Sequence, residues 1–123
     1  MKQVWIVDDN EDQLRMMEVI LRGRYALTKC SSYQDLLSML PGPAPHLILL
    51  DLNLKSVTAE ELMHPLRRNE ATRNTPVVLM SGAENTSSEA ERLGCVGHLL
   101  KPFSVEQLRQ LIAQHTAQGT GSE

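Results

Sequence analysis

The chain has 123 residues, enough for one domain with an ordinary hydrophobic core. Hydrophobic residues make up 41%, which argues against disorder, and aromatics only 3%, so aliphatic side chains must build the core. A net charge of −3 argues against the basic face of a nucleic-acid-binding domain, and no apolar run approaches the roughly 18 residues of a membrane span.

Met1-Lys2-Gln3 lead straight into the apolar run Val4-Trp5-Ile6-Val7, which leaves no room for a signal peptide, so a cytoplasmic protein is expected. That run predicts a strand over about residues 3–7, and it stops on two acids, Asp8 and Asp9. Asn10 can cap a first helix over about 11–22, with Gln13 at the third helical position. A second strand is expected over about 25–29 and a second helix over about 33–40. Pro41-Gly42-Pro43-Ala44-Pro45 is a rigid connector, not a domain boundary. His46-Leu47-Ile48-Leu49-Leu50 then predicts a buried third strand over about 46–50 that stops on Asp51.

Thr58-Ala59-Glu60-Glu61 is a capping box, with Val57 and Leu62 placed as a hydrophobic staple, and it opens a third helix over about 58–69. Pro65 lies inside that helix, removes one backbone bond and should bend or loosen it. A fourth strand over about 76–80, Pro76-Val77-Val78-Leu79-Met80, ends on Ser81-Gly82. Thr86 and Glu89 offer a weaker cap for a short fourth helix over about 86–93. A fifth strand over about 97–100, Gly97-His98-Leu99-Leu100, ends on Lys101-Pro102. Ser104 with Gln107, and Phe103 with Leu108, repeat the box and staple before a fifth helix over about 104–115. Its stripe of Val105, Leu108, Leu111 and Ile112 is core packing, since the polar face lacks the basic residues of a membrane-binding helix. The domain is expected to span residues 1–116, with 117–123 a tail flexible by composition.

Strand and helix alternate five times, which predicts an α/β fold on a parallel sheet. Ligands of such sheets bind outside the carboxyl ends of the strands. There the sequence places three acids (Asp8, Asp9, Asp51), one hydroxyl (Ser81) and one ammonium (Lys101). Taken singly, the acids are loop residues or caps, Ser81 is a turn residue and Lys101 a surface lysine. Taken together, at four strand ends, they describe a site for a divalent cation and a phosphoryl group. Three clustered carboxylates are unfavourable unless a cation or raised pKa values relieve them, and oxygen-only ligands suit Mg²⁺. Ser81 is no hydrolase nucleophile, because no histidine is placed to serve as its base: His46, His64, His98 and His115 begin a strand, lie on helices or lie inside a strand. His46, His64 and His115 are expected to be surface or satisfied core residues. Lys101 precedes a proline, the usual site of a cis peptide, and a cis bond would fix its direction.

These residues resemble a known family. Asp8-Asp9, Asp51, Ser81 and Lys101-Pro102-Phe103, each after its strand, match the receiver domains of two-component response regulators from Lys2 to about His115. The resemblance implies a flavodoxin-like, doubly wound (βα)₅ fold with sheet order 2-1-3-4-5. Cys30 and Cys95 would then lie at opposite edges of the sheet, beyond disulfide reach. It implies that Asp51 takes a phosphoryl group from a histidine kinase or phosphotransfer protein. Mg²⁺ would be held by Asp9, Asp51 and the backbone carbonyl of Asn53, with Asp8 acting through a water. Lys101 and Ser81 would contact phosphoryl oxygens. Ser81 and a residue three before the lysine would form the switch, here His98 in place of the commoner Tyr or Phe, which introduces an ionisable group. The face made by the fourth helix, fifth strand and fifth helix would meet an unknown target and leaves a homodimer open. No turnover substrate is expected: the protein would catalyse only its own phosphorylation and dephosphorylation.

The chain also departs from the family pattern. A proline often stands four residues past the phosphoacceptor and a glycine eight past it; here these are Lys55 and Ala59. Lys55 adds a cation near the site. Other functions fit less well. A flavin carrier needs a hydroxyl- and glycine-rich first loop, and Asp8-Asp9-Asn10-Glu11-Asp12 would repel a phosphate. An aspartyl phosphatase usually carries a second aspartate where this chain has Asn53. A phosphorylation-independent pseudo-receiver that simply binds proteins is the remaining alternative, and the intact acids argue against it.

Overall fold

Strands buried on both faces must be apolar at consecutive positions, and the apolar runs of this sequence become the strands of one parallel sheet. The computed structural model describes residues 1–121, with side chains described through Thr116. In chain order the elements are β1 (Gln3–Val7), α1 (Glu11–Leu21), β2 (Ala26–Cys30), α2 (Tyr33–Met39), β3 (Leu47–Asp51), α3 (Ala59–Arg68), β4 (Val77–Ser81), α4 (Thr86–Arg92), β5 (Gly97–Leu100) and α5 (Val105–Gly121). The sheet order is β2-β1-β3-β4-β5, as the resemblance implied.

Alternation along each strand sorts the core into two layers. Trp5, Val7, Ile48, Leu50, Val77 and Leu79 pack with Leu36 of α2, Leu62 and Leu66 of α3 and Ala90 of α4. Val4, Ile6, Leu47, Leu49, Val78, Met80 and Leu99 pack with Leu14, Met17 and Leu21 of α1 and Leu108 and Ile112 of α5. Helices therefore cover both faces, and among the described residues Trp5 is the one aromatic side chain in a buried core otherwise made of aliphatic, methionine and cysteine side chains.

Three strands run one residue later than their apolar runs suggested. Asp8 N donates to Cys30 O at 2.9 Å, Leu52 N to Met80 O at 2.8 Å and Lys101 N to Ser81 O at 2.8 Å. The ladder thus continues past the hydrophobic residues and carries Cys30, Asp51 and Ser81 into the sheet. Hydrogen bonding, not hydrophobicity, sets these ends.

The helix starts follow local chemistry. Asn10 accepts from Gln13 N at 3.0 Å. The Thr58 box closes in both directions, at 3.1 Å from Glu61 N and 2.8 Å from Thr58 N. The Ser104 box also closes, at 3.0 Å and 2.8 Å. Pro65 lies within α3, which still runs to Arg68. The expected cap at Thr86 is not made. Asn85 is the N-cap and makes no side-chain cap bond. Thr86 is buried, and its hydroxyl donates back to Ala83 O at 2.6 Å, so it is spent on the preceding loop. The α5 backbone extends to Gly121, past the expected end near 115; of the expected tail, Ser122 and Glu123 lie outside the described residues. Cys30 and Cys95 are unpaired and belong to opposite edges of the sheet. Among the described residues no helix is long and apolar enough to cross a membrane.

The two kinds of helix start predict different sensitivities. Thr58→Ala loses a reciprocal box and should lower the free energy of unfolding by about 1 kcal/mol, whereas Asn85→Ala loses no cap bond and should change it by less than about 0.5 kcal/mol. Urea unfolding of the two variants beside the parent checks this, and equal losses would contradict the capping geometry.

Candidate functional site

The pleat decides which side chains meet. Along β3, Leu47 and Leu49 face α1 and α5, and Asp51 continues that parity. Asp8 follows Val4 and Ile6 of β1 in the same way, and Lys101 follows Leu99 of β5. Three segments far apart in sequence thus aim two carboxylates and one ammonium at one point beyond the sheet edge. Ser81 has the other parity, that of Val77 and Leu79.

Lys101 Nζ lies 3.3 Å from Asp8 Oδ2 and 3.5 Å from Asp51 Oδ1. Asp8 is 0% exposed and Asp51 3%, while the lysine side chain keeps 26% of its surface. The Lys101–Pro102 peptide is cis. Backbone donors hold the carboxylates: Asn10 N to Asp8 Oδ1 at 2.9 Å, Asn53 N to Asp51 Oδ1 at 3.1 Å, and Lys55 N to Asp9 Oδ2 at 2.9 Å. Ligand oxygens of Asp8, Asp9 and Asp51 all lie within 4.8 Å of one another. The set is all oxygen and all acidic, with room on Asp51 and Asp9 for a second bond, so it fits a hard divalent cation.

Burial is the main influence that raises the Asp8 carboxyl above its ordinary pKa. The Asp51 charge adds to the rise, while the Asn10 N–H and the Lys101 ammonium oppose it. A bound divalent cation would oppose that rise as the ammonium does.

Ser81 is fully buried, and its hydroxyl oxygen accepts from Ala83 N at 3.0 Å. It sits on the strand next to Asp51, and its own carbonyl holds the Lys101 amide. Asn53 is exposed, and its contact with the site is its backbone N–H. His98 stands apart: it is exposed on β5, beside a surface hollow lined by Leu100, Pro102, Gln107 and Leu111. His46 Nδ1 accepts from Gln3 N at 3.0 Å and His64 is exposed, as expected of bystanders. His115 is buried beside Gly97, but its Nδ1 has no partner among the described residues, so it is not the satisfied core histidine anticipated. The backbone donors of Asn10 and Lys55 were not foreseen. Asn10 suggested only a cap, and Lys55 only its side-chain charge; the Lys55 side chain is exposed, and its N–H meets Asp9.

With this geometry established, comparison with known proteins gives a consistent result. The response regulator receiver domain profile matches residues 4–113. The polar-differentiation response regulator DivK of Brucella suis is 29% identical over 118 residues, covering 93% of this chain and 95% of its own. The response regulator FleR of Pseudomonas aeruginosa is 29% identical over 125 residues, covering 99% of this chain but 26% of its own. The chain spans about a quarter to a half of the length of several curated relatives that it matches. The fold is shared with the receiver domain of the sensor histidine kinase PA1611 from Pseudomonas aeruginosa, solved with magnesium in its active-site cleft. That match has a TM-score of 0.82 at 19% identity and covers 94% of this chain and 98% of the other.

The raised Asp8 carboxyl has a definite pH signature. A carboxyl that holds its proton more tightly when folded contributes stability below its unfolded pKa, near 3.8, and loses it as pH rises through the folded value. In EDTA, Asp8→Asn should therefore raise the free energy of unfolding at pH 7, with the gain shrinking as the pH falls to about 3.5. Denaturant titrations at the two pH values test it. A variant less stable than the parent at pH 7 would show that the charge is well accommodated after all.

Proposed function

Since the chain belongs to the receiver domain family of response regulators, we propose that it is a phosphoacceptor. Asp51 takes a phosphoryl group from a phosphohistidine on a histidine kinase or phosphotransfer protein, with Mg²⁺ held by Asp9, Asp51 and the Asn53 carbonyl and assisted by Asp8. The observation that carries this is the Asp8–Lys101–Asp51 cluster, two buried carboxylates bridged by one ammonium at 3.3 Å and 3.5 Å.

In the transfer, a carboxylate oxygen of Asp51 forms a bond to phosphorus as the donor's P–N bond breaks. The electron pair leaves on the imidazole nitrogen, which takes up a proton. Such transfers need positioning and charge neutralisation more than covalent help. A divalent cation held by these residues would supply positive charge to offset the carboxylates and the phosphoryl group. Lys101 already lies within reach of Asp51 and can move from the carboxylate to a phosphoryl oxygen. The Ser81 hydroxyl accepts from Ala83 N, which leaves its own proton free to donate to a phosphoryl oxygen. Hydrolysis of the acyl phosphate needs a water in line with the P–O bond, and the exposed Asn53 carries an amide that can orient it. The protein turns over no separate substrate.

Signalling follows from the new charge. A donor bond from Ser81 to the phosphoryl group pulls on the loop from Gly82 to Asn85, whose far end Thr86 ties to Ala83. His98 and the face of α4, β5 and α5 carry the change to a downstream protein or a second copy of the chain. The working compartment is the cytoplasm, with no direct contact to nucleic acid or membrane by this domain.

Incubation with acetyl phosphate and Mg²⁺, read by intact mass, should add one phosphoryl group to the wild type and none to Asp51→Asn. No adduct on the wild type would favour a phosphorylation-independent binding module instead. The lifetime of the adduct should depend on the group that orients water. Asn53→Ala should lengthen it by roughly tenfold or more, the scale of losing a positioned polar group, whereas Ala83→Gly should change it by less than about threefold. Decay followed by mass after removal of the donor distinguishes the two, and a larger effect at Ala83 would reassign the control of hydrolysis.

A further inference from the structure

The loop between β3 and α3 is fastened to the site through its backbone. Asn53 N donates to Asp51 Oδ1, and two residues later Lys55 N donates to Asp9 Oδ2 at 2.9 Å. Asp9 belongs to the β1–α1 loop, 46 residues earlier in the chain. Asp9 is the least buried of the three acids, and this is the one hydrogen bond to its carboxylate among the described residues. The next residue, Ser56, has φ at 67°, a left-handed conformation unfavourable for a residue with a Cβ. The loop holds that conformation immediately after the residue that presents its N–H to Asp9.

We propose that Lys55 is a positioning residue for the metal site: its backbone N–H, not its ammonium, sets the direction of Asp9 and joins the two loops that flank the phosphoacceptor. The proposal rests on the metal-assisted phosphoacceptor reading above. A carboxylate oxygen has two lone pairs, so Asp9 can accept from Lys55 N and still turn the rest of its carboxylate toward a cation. A ligand fixed in advance loses less freedom when the ion binds, and an outer hydrogen bond to a ligand commonly changes affinity by 10–100-fold. Coupling also runs the other way: a cation that engages Asp9 steadies the loop carrying Asn53. Proline has no N–H, so this link cannot exist in a receiver domain with proline at the corresponding position.

Three proteins separate the backbone from the side chain: wild type, Lys55→Ala, which keeps the donor and loses the charge, and Lys55→Pro, which loses both. Mg²⁺ titrated by calorimetry should bind Lys55→Pro at least about tenfold more weakly than wild type, and Lys55→Ala within about threefold of it. Equal affinity in wild type and Lys55→Pro, or an equal loss in both variants, overturns the proposal. If the wild type binds no Mg²⁺, the metal site itself fails, which is a distinguishable result. A second measurement does not depend on the proline variant folding. In the metal-free protein, the Lys55 amide should exchange with solvent at least about tenfold more slowly in wild type than in Asp9→Ala. An amide equally unprotected in both removes the hydrogen bond on which the proposal stands.

Discussion

Two buried carboxylates from different strands share one ammonium, and the rest of the site depends on that contact. Lys101 reaches both Asp8 and Asp51 only because β5 lies two strands from β3 in the same parallel sheet and ends at the same level. A parallel sheet places every carboxyl end on one edge, so residues from positions 8, 51 and 101 converge without any long loop. The arrangement is not a stabilising ion pair of the ordinary kind. Taking charges out of water is expensive, and burial is what chiefly raises the Asp8 carboxyl above its ordinary value. The stability of the two aliphatic layers above and below the sheet is what permits it.

Much of this architecture could be seen in the sequence, for identifiable reasons. Continuous apolar runs such as Leu47-Ile48-Leu49-Leu50 mark strands covered on both faces, and two closed capping boxes marked the starts of α3 and α5. The acids, Ser81 and Lys101 were found because each stands where an apolar run stops. The order of the strands was not legible in this way; it came with the family resemblance. Pleat parity can be counted once a run is a strand, and it places Asp8, Asp51 and Lys101 on one side and Ser81 on the other.

What the sequence hid is mostly backbone. Strand ends moved by one residue at Cys30, Asp51 and Ser81 because ladder hydrogen bonds do not respond to side-chain polarity. Thr86 looked like a cap, but its hydroxyl found a nearer acceptor in Ala83 O, a competition that residue type alone does not decide. Lys55 stands out in sequence for its charge, while the contact the fold reveals is that of its N–H with Asp9. His115 shows the opposite difficulty: a helical histidine is ordinary in sequence, and only the packing beside Gly97 reveals that it is buried, with one nitrogen unmatched among the described residues.

These observations assign different tasks to side chains and backbone at the same edge. Side chains of Asp8, Asp51 and Lys101 gather charge, and backbone N–H groups of Asn10, Asn53 and Lys55 orient it. Charge alone would leave three flexible carboxylates repelling one another; orientation alone would leave nothing for a phosphoryl group to meet. Each N–H comes from a loop that must follow a fixed path to supply it, and at Ser56 that path enters the left-handed region. A change of charge at Asp51 therefore acts on loops as well as on side chains. The Asn53 amide is bonded to Asp51 directly, and on the next strand the Ser81 hydroxyl accepts from Ala83 N within its own loop. Both loops lead into helices, α3 and α4, that pack on the same face of the sheet. The two loops that border the acidic edge are thus each held by a hydrogen bond at the strand end and by a helix buried on one face of the sheet, so a shift in either would be passed to that face.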